Sequence, residues 1–122
     1  MVILLVEGDV GVQFDVWKLL KADGFTVLTA GDGKAALEAS RNCPGSIDLL
    51  MSDVEMLGMG GLELCKNIAA ERPGIKVLVM SGDPSCKGQA SMNGLPFLQK
   101  PFTSTALRDS IEALLGPIPP FQ

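Results

Sequence analysis

Apolar residues along this chain fall into short unbroken runs, separated by stretches in which they recur every three or four positions. Val2-Ile3-Leu4-Leu5-Val6 is the first run, rich in β-branched residues. A strand with no polar alternation is buried on both faces, as in a parallel sheet. Further runs are Phe25-Thr26-Val27-Leu28-Thr29, Ile47 through Ser52, Ile75 through Met80, and the short Leu95-Pro96-Phe97-Leu98, where Pro96 suits an edge position. Between them lie helical spacings. Val12, Val16, Leu19 and Leu20 mark residues 10–22, closed by Asp23-Gly24. Asp32 can cap a helix through about Arg41, broken by Asn42-Cys43-Pro44-Gly45. Leu62, Leu64, Cys65, Ile68 and Ala69 mark a third helix, stopped at Arg72-Pro73-Gly74. Residues 84–93 carry little apolar face and predict only a short or frayed helix. Thr103 caps a last helix containing Leu107, Ile111, Leu114 and Leu115, ended by Gly116-Pro117. Strand and helix alternate five times, which predicts an α/β fold: a doubly wound parallel sheet covered by helices on both faces, in three layers.

Open sheets of this kind bind their ligands at the carboxyl ends of the strands. The polar residues at those ends are Glu7 and Asp9 after the first strand, Asp53 after the third, Ser81 after the fourth and Lys100 after the fifth. A carboxylate closing a buried run, as Asp53 does, is costly unless a neighbour stabilises it. With strand order 2-1-3-4-5, Glu7 and Asp53 converge. Crowded carboxylates repel unless a cation sits among them, and hard oxygen ligands suit Mg²⁺. Lys100 adds an ammonium and Ser81 a hydroxyl. An anionic group attached to Asp53 would find a metal, an ammonium and a hydroxyl around it. That set suits phosphoryl transfer to a carboxylate, where catalysis is mostly positioning and charge neutralisation.

Four segments, VILLVEGD, LLMSDVEMLGMGGLEL, VLVMSGD and FLQKPF, together resemble the four blocks of the response-regulator receiver domain of two-component signalling. The likeness runs from residue 1 to about 115, and FLQKPF with PGSIDLLMSDV is most similar to receivers attached to hybrid sensor histidine kinases. The resemblance implies a flavodoxin-like (βα)5 fold of strand order 2-1-3-4-5, with residues 1–116 as the receiver and 117–122 as a tail. It implies that Asp53 accepts a phosphoryl group from a phosphohistidine on a histidine kinase or phosphotransfer protein. Glu7, Asp53 and the backbone carbonyl of Glu55 would hold Mg²⁺. Ser81 and Lys100 would bind the phosphoryl group, Phe97 would be the aromatic that moves with Ser81, and Lys100-Pro101 would be a cis peptide.

Three positions depart from the family pattern. Gly8 stands where the second acid of the pair and a direct metal ligand is usual; Asp9, or the side chain of Glu55, is a candidate substitute. Leu57 replaces a proline and Gly60 an aspartate, changes that should loosen the loop after Asp53. The segment from Ser81 to Phe97 is also a few residues short, which weakens a dimer through that face; a monomer or weak dimer is expected.

Composition narrows the alternatives. The chain has 122 residues, a net charge of −4, one Trp and no Tyr. One domain is expected, and nucleic acid is not a predicted partner. The absence of histidine removes Ser-His and Cys-His nucleophiles and most catalytic zinc sites. Three widely spaced cysteines, Cys43, Cys65 and Cys86, argue against a disulfide framework and read as buried fillers. No apolar run approaches the ~20 residues of a membrane span, so a cytoplasmic, non-membrane domain is expected, in which any self-phosphorylation or self-dephosphorylation is its only catalysis. Two rivals stand beside the phosphoacceptor. One is a degenerate receiver that binds proteins without phosphorylation, motivated by Gly8. The other is a flavodoxin-like flavin or nucleotide binder, which EGDVG disfavours because its carboxylates repel phosphate.

Overall fold

A computed structural model describes residues 1–56 and 58–118. Ten elements alternate strictly: β1 (Val2–Val6), α1 (Val10–Ala22), β2 (Thr26–Ala30), α2 (Gly33–Asn42), β3 (Leu49–Asp53), α3 (Gly61–Glu71), β4 (Lys76–Ser81), α4 (Cys86–Met92), β5 (Phe97–Gln99) and α5 (Ser104–Leu115). The five strands form one parallel sheet in the order β2-β1-β3-β4-β5. This is the doubly wound (βα)5 arrangement expected from the sequence.

Side chains on successive strand residues point to opposite faces, and both faces are covered. Ile3, Leu5, Leu49, Met51, Leu78 and Met80 pack against Val16 and Leu20 of α1 and Leu107 and Ile111 of α5. Leu4, Val6, Leu50 and Val79 pack against Ala36 and Leu37 of α2, Leu64, Cys65 and Ile68 of α3, and Cys86 and Ala90 of α4. Three helices start at side-chain caps: Asp9 accepts from the Val12 N–H, Asp32 from Ala35 and Thr103 from Ala106.

Every strand but β1 is displaced from the sequence reading: β2 and β4 by one residue toward the carboxyl end, to Thr26–Ala30 and Lys76–Ser81, and β3 and β5 by more. β3 starts at Leu49 rather than Ile47; Asp48 just before it still bonds Val2 and Lys76 through its backbone, and its carboxylate takes the Val2 N–H at 2.7 Å. β5 starts at Phe97 rather than Leu95. Leu95 donates its N–H to Ala90 at 2.9 Å, closing α4 through Gly94 at φ 68°, so it belongs to the helix exit. Helix α4 has seven residues, no side-chain cap, and only Cys86 and Ala90 buried.

Past α5, Ile118 is 8% exposed and lies in the same cluster as Leu107 and Ile111, so packing extends into the segment expected as a tail. Residues 119–122 of that tail lie outside the described residues, as does Leu57.

One clamp went unread in the sequence. The Arg72 guanidinium donates to the Ser40 hydroxyl (2.8 Å) and to the carbonyls of Ser40 (2.7 Å), Cys43 (2.9 Å) and Gly45 (2.8 Å). It thereby ties the last turn of α2 and the Cys43–Gly45 loop to the end of α3.

Candidate functional site

The order of β1 and β3 as neighbours brings the ends of those strands together. Asp53 is the last residue of β3, and Glu7 follows the last residue of β1. Both are buried, Glu7 at 2% exposure and Asp53 at 8%. Lys100, just past β5, reaches between them: its Nζ donates to Glu7 Oε1 at 2.6 Å and to Asp53 Oδ2 at 3.2 Å. The chain turns after Lys100 through a cis Lys100–Pro101 peptide, and the Lys100 N–H is held by the Ser81 carbonyl at 2.8 Å. An ammonium thus occupies the space between two acids that would otherwise repel.

The electrostatics follow. Burial, then the charge on Glu7, push the Asp53 carboxyl above its ordinary range, and Lys100 only partly offsets them. Burial also works against the charge on Lys100, but its bonds to Glu7 and Asp53 outweigh that and raise its pKa.

Around this triad lies a cavity of about 430 Å³, lined by Gly8, Asp9, Gly31, Asp32 and Met56 as well as by Glu7, Asp53, Glu55 and Lys100. Asp9 is on its rim, but its Oδ1 is committed to the Val12 N–H at 3.0 Å as the cap of α1. Its backbone N–H donates to Glu7 Oε2 at 3.2 Å. Gly8 is exposed, and a Cβ there would meet only the Gly31 carbonyl, at 3.4 Å. The position is open to a larger residue.

Glu55 turns its backbone toward Asp53, donating its N–H to Oδ1 at 3.3 Å. Its side chain goes elsewhere: Glu55 Oε1 accepts the Ser81 hydroxyl at 2.7 Å and the Cys86 thiol at 3.8 Å. Ser81 is fully buried and also accepts the Asp83 N–H at 2.9 Å. One ligand atom each from Glu55, Asp83 and Cys86 lies within 4.8 Å of the others. Phe97 opens β5, half-buried, packed against the α2-α3-α4 side of the sheet.

Two contributors to this geometry were missed. Gln13 on α1 donates its Nε2 to the carbonyls of Glu7 and Ala30, both at 3.1 Å, fixing the ends of β1 and β2; a single polar residue on a helix carries no signal for that. Gly61 packs so tightly under the site that a Cβ would collide with the Asp53 carbonyl oxygen and sit 2.8 Å from Val54 Cα. The Gly60-Gly61 pair was the available sign, since paired glycines often mark a close backbone approach.

The comparisons with known proteins agree with the fold and show the family. A family profile described as "Response regulator receiver domain" matches residues 3–112. The chain belongs to the response regulator receiver domain family. It is 31% identical over 116 residues to the sensor kinase CckA of Brucella abortus, covering 93% of this chain and 12% of that protein. A crystal structure of the receiver domain from the hybrid histidine kinase CckA superposes with a TM-score of 0.81 at 34% identity, covering 94% of this chain and 99% of that one. The chemotaxis protein CheY4 of Vibrio cholerae superposes with a TM-score of 0.83 at 26% identity, covering 93% and 98%. The chain spans 12% to 56% of the length of the curated relatives it matches. As a receiver domain its role is that of a phosphoacceptor in two-component signalling, a class that is not enzymatic in general and that interacts with histidine kinases or phosphotransfer proteins. Among the described residues no helix is long and apolar enough to cross a membrane.

Proposed function

We propose that Asp53 is the phosphoacceptor of this receiver, that Mg²⁺ assists, and that the donor is a phosphohistidine on a partner kinase or phosphotransfer protein. The observation that carries this reading is the Lys100 ammonium held between Glu7 and Asp53 at the carboxyl ends of the strands. An Asp53 oxygen forms the new bond to phosphorus. The phosphorus–nitrogen bond of the phosphohistidine breaks, and its electron pair returns to the imidazole. Lys100 balances charge on the transferring group, in line with the positioning and electrostatic character of such transfers.

The donor set fits Mg²⁺. Glu7, Asp53 and the Glu55 carbonyl are hard oxygens, and Mg²⁺ is often held by one or two carboxylates while keeping several waters. Gly8 takes one carboxylate from this set, and Asp9 Oδ1 is engaged as a helix cap, so a bound Mg²⁺ would be held by Glu7, Asp53 and the Glu55 carbonyl without the aspartate usual in the family. Mg²⁺ supplies charge neutralisation. The protein's own groups orient the acceptor: Glu55 N–H on Oδ1 and Lys100 on Oδ2. Phosphorylation then shifts the population of two arrangements of the α4 side, with Ser81 and Phe97 as moving parts. Self-phosphorylation and self-dephosphorylation are the only chemistry we assign to this domain, and residues 1–116 form the receiver unit. A receiver that is part of a hybrid kinase is consistent with the CckA similarity.

Phosphoramidate carries the same phosphorus–nitrogen bond as a phosphohistidine. Incubation with it in Mg²⁺, followed by hydroxylamine trapping and peptide mapping, should place the acyl phosphate on Asp53. Modification on any other residue, or at an unchanged level in Asp53→Asn, overturns the reading.

A further inference from the structure

Apart from its backbone, Glu55 takes no part in the chemistry above, yet its side chain makes the 2.7 Å contact to which the Ser81 hydroxyl is committed. A serine hydroxyl has one proton to donate. That proton is given to Glu55 Oε1, while the oxygen accepts from the Asp83 N–H. Ser81 is fully buried and does not line the cavity above Asp53, whereas Glu55 does. In this arrangement Ser81 has nothing left to offer a group on Asp53. To donate to a phosphoryl oxygen it must first leave Glu55.

The same Oε1 also accepts the Cys86 thiol, the first residue of α4. Helix α4 buries only Cys86 and Ala90; its first turn is held by the Cys86 N–H on the Asp83 carbonyl at 3.1 Å, and the thiol contact adds a side-chain link to Glu55. One carboxylate therefore joins the loop after Asp53, the end of β4 and the start of α4. A phosphoryl group on Asp53 brings nearly two negative charges beside it. Like charge disfavours the carboxylate at that place, and the phosphoryl oxygens are competing acceptors for the hydroxyl.

We propose that Glu55 is a positioning residue: it sequesters the Ser81 hydroxyl in the unphosphorylated receiver, and the phosphoryl group on Asp53 displaces it, freeing both Ser81 and the start of α4. This deepens the phosphoacceptor reading and rests on it.

The test uses acetyl phosphate with Mg²⁺ and follows the rate of phosphorylation by intact mass. In that reaction an Asp53 oxygen bonds to phosphorus, and the phosphorus–oxygen bond breaks with its electron pair leaving on acetate. Glu55 is itself exposed, and melting curves verify that each variant is folded at the assay temperature. Glu55→Ala should raise the rate about tenfold, the scale of freeing one charge-assisted hydrogen bond. Glu55→Gln, whose amide oxygen still accepts from Ser81 without the charge, should give a smaller gain. In a Ser81→Ala background the Glu55→Ala gain should vanish. A gain of equal size in that background means simple repulsion of the donor and overturns the latch. As a second readout, phosphorylation of the wild type should speed maleimide labelling of Cys86, and labelling unchanged by phosphorylation overturns the release of α4. If the wild type takes no phosphoryl group, the phosphoacceptor reading falls and the latch with it. If it does, but Glu55→Ala reacts at the wild-type rate, only the latch falls.

Discussion

Replacing Lys100 with methionine isolates the charge balance of the site. Methionine keeps much of the aliphatic stem and its packing but removes the ammonium from between Glu7 and Asp53. Its loss leaves one acid at 2% exposure and another at 8% without their shared cation. Removing one partner of a buried pair costs about 3–5 kcal/mol. The Lys100 side chain is 19% exposed and the cavity above it opens to water, so about 2 kcal/mol is the expected loss after allowing for that screening. For 122 residues the unfolding entropy is roughly 0.26 kcal/mol/K, so Tm should fall by about 8 °C at neutral pH. The sign with pH is fixed by the carboxylates. Asp53 already has a raised pKa in the folded chain, and Lys100 is what limits that rise. A raised folded pKa gives stability that is present at low pH and lost as pH climbs through it. Lys100→Met should therefore match the wild type most closely in acid and fall behind as pH rises through and above the carboxylate range. Glu7→Gln added to Lys100→Met should restore part of the loss. Differential scanning calorimetry from acid to neutral pH reads all of this. An equal deficit at every pH, with no rescue by Glu7→Gln, would mean that Lys100 contributes packing rather than charge, and the electrostatic account of the site would fail.

Other consequences are open to simple assays. Gly8→Asp should raise Mg²⁺ affinity about tenfold by adding a carboxylate to the set, measured by titration calorimetry; the position has room, so no gain would mean that the site is already complete. Arg72→Ala should cost about 2–3 kcal/mol in urea unfolding, because it strips four hydrogen bonds from the last turn of α2 and the loop after it; a loss below ~0.5 kcal/mol would show the clamp to be ornamental. Burial pushes the Cys65 thiol up to about 12, so iodoacetamide at pH 7.5 should leave it unmodified while the half-buried Cys43 reacts; early labelling of Cys65 in mass spectra would contradict the packing of α3.

Much of this was legible because the governing patterns are local. Val2–Val6 and Lys76–Ser81 lie in the middle of the sheet, and nearly unbroken apolar runs are what two buried faces require. Asp9, Asp32 and Thr103 all cap helices, yet only Asp32 and Thr103 were read so. Asp9 was read as a candidate substitute for the missing acid; it lines the cavity, with its Oδ1 given to the Val12 N–H as a helix cap. The strand-end polar set named Glu7, Asp53 and Lys100, which the topology brings into contact at one edge, and Ser81, whose hydroxyl instead faces Glu55. What could not be read depended on side-chain direction over long sequence separation. Arg72 looked like a helix stop and Asp48 like part of a strand, and Gln13 carried no signal at all. The pairing of Ser81 with Glu55 spans 26 positions and has no periodic sign.

The central claim is that this receiver takes a phosphoryl group on Asp53 although Gly8 stands in place of an acid. Intact mass after acetyl phosphate treatment, with and without Mg²⁺ and beside Asp53→Asn, tests it most directly. The account predicts a Mg²⁺-dependent gain of one phosphoryl group that Asp53→Asn lacks. No gain at any Mg²⁺ concentration would contradict it and leave a receiver that works through protein contacts without phosphorylation.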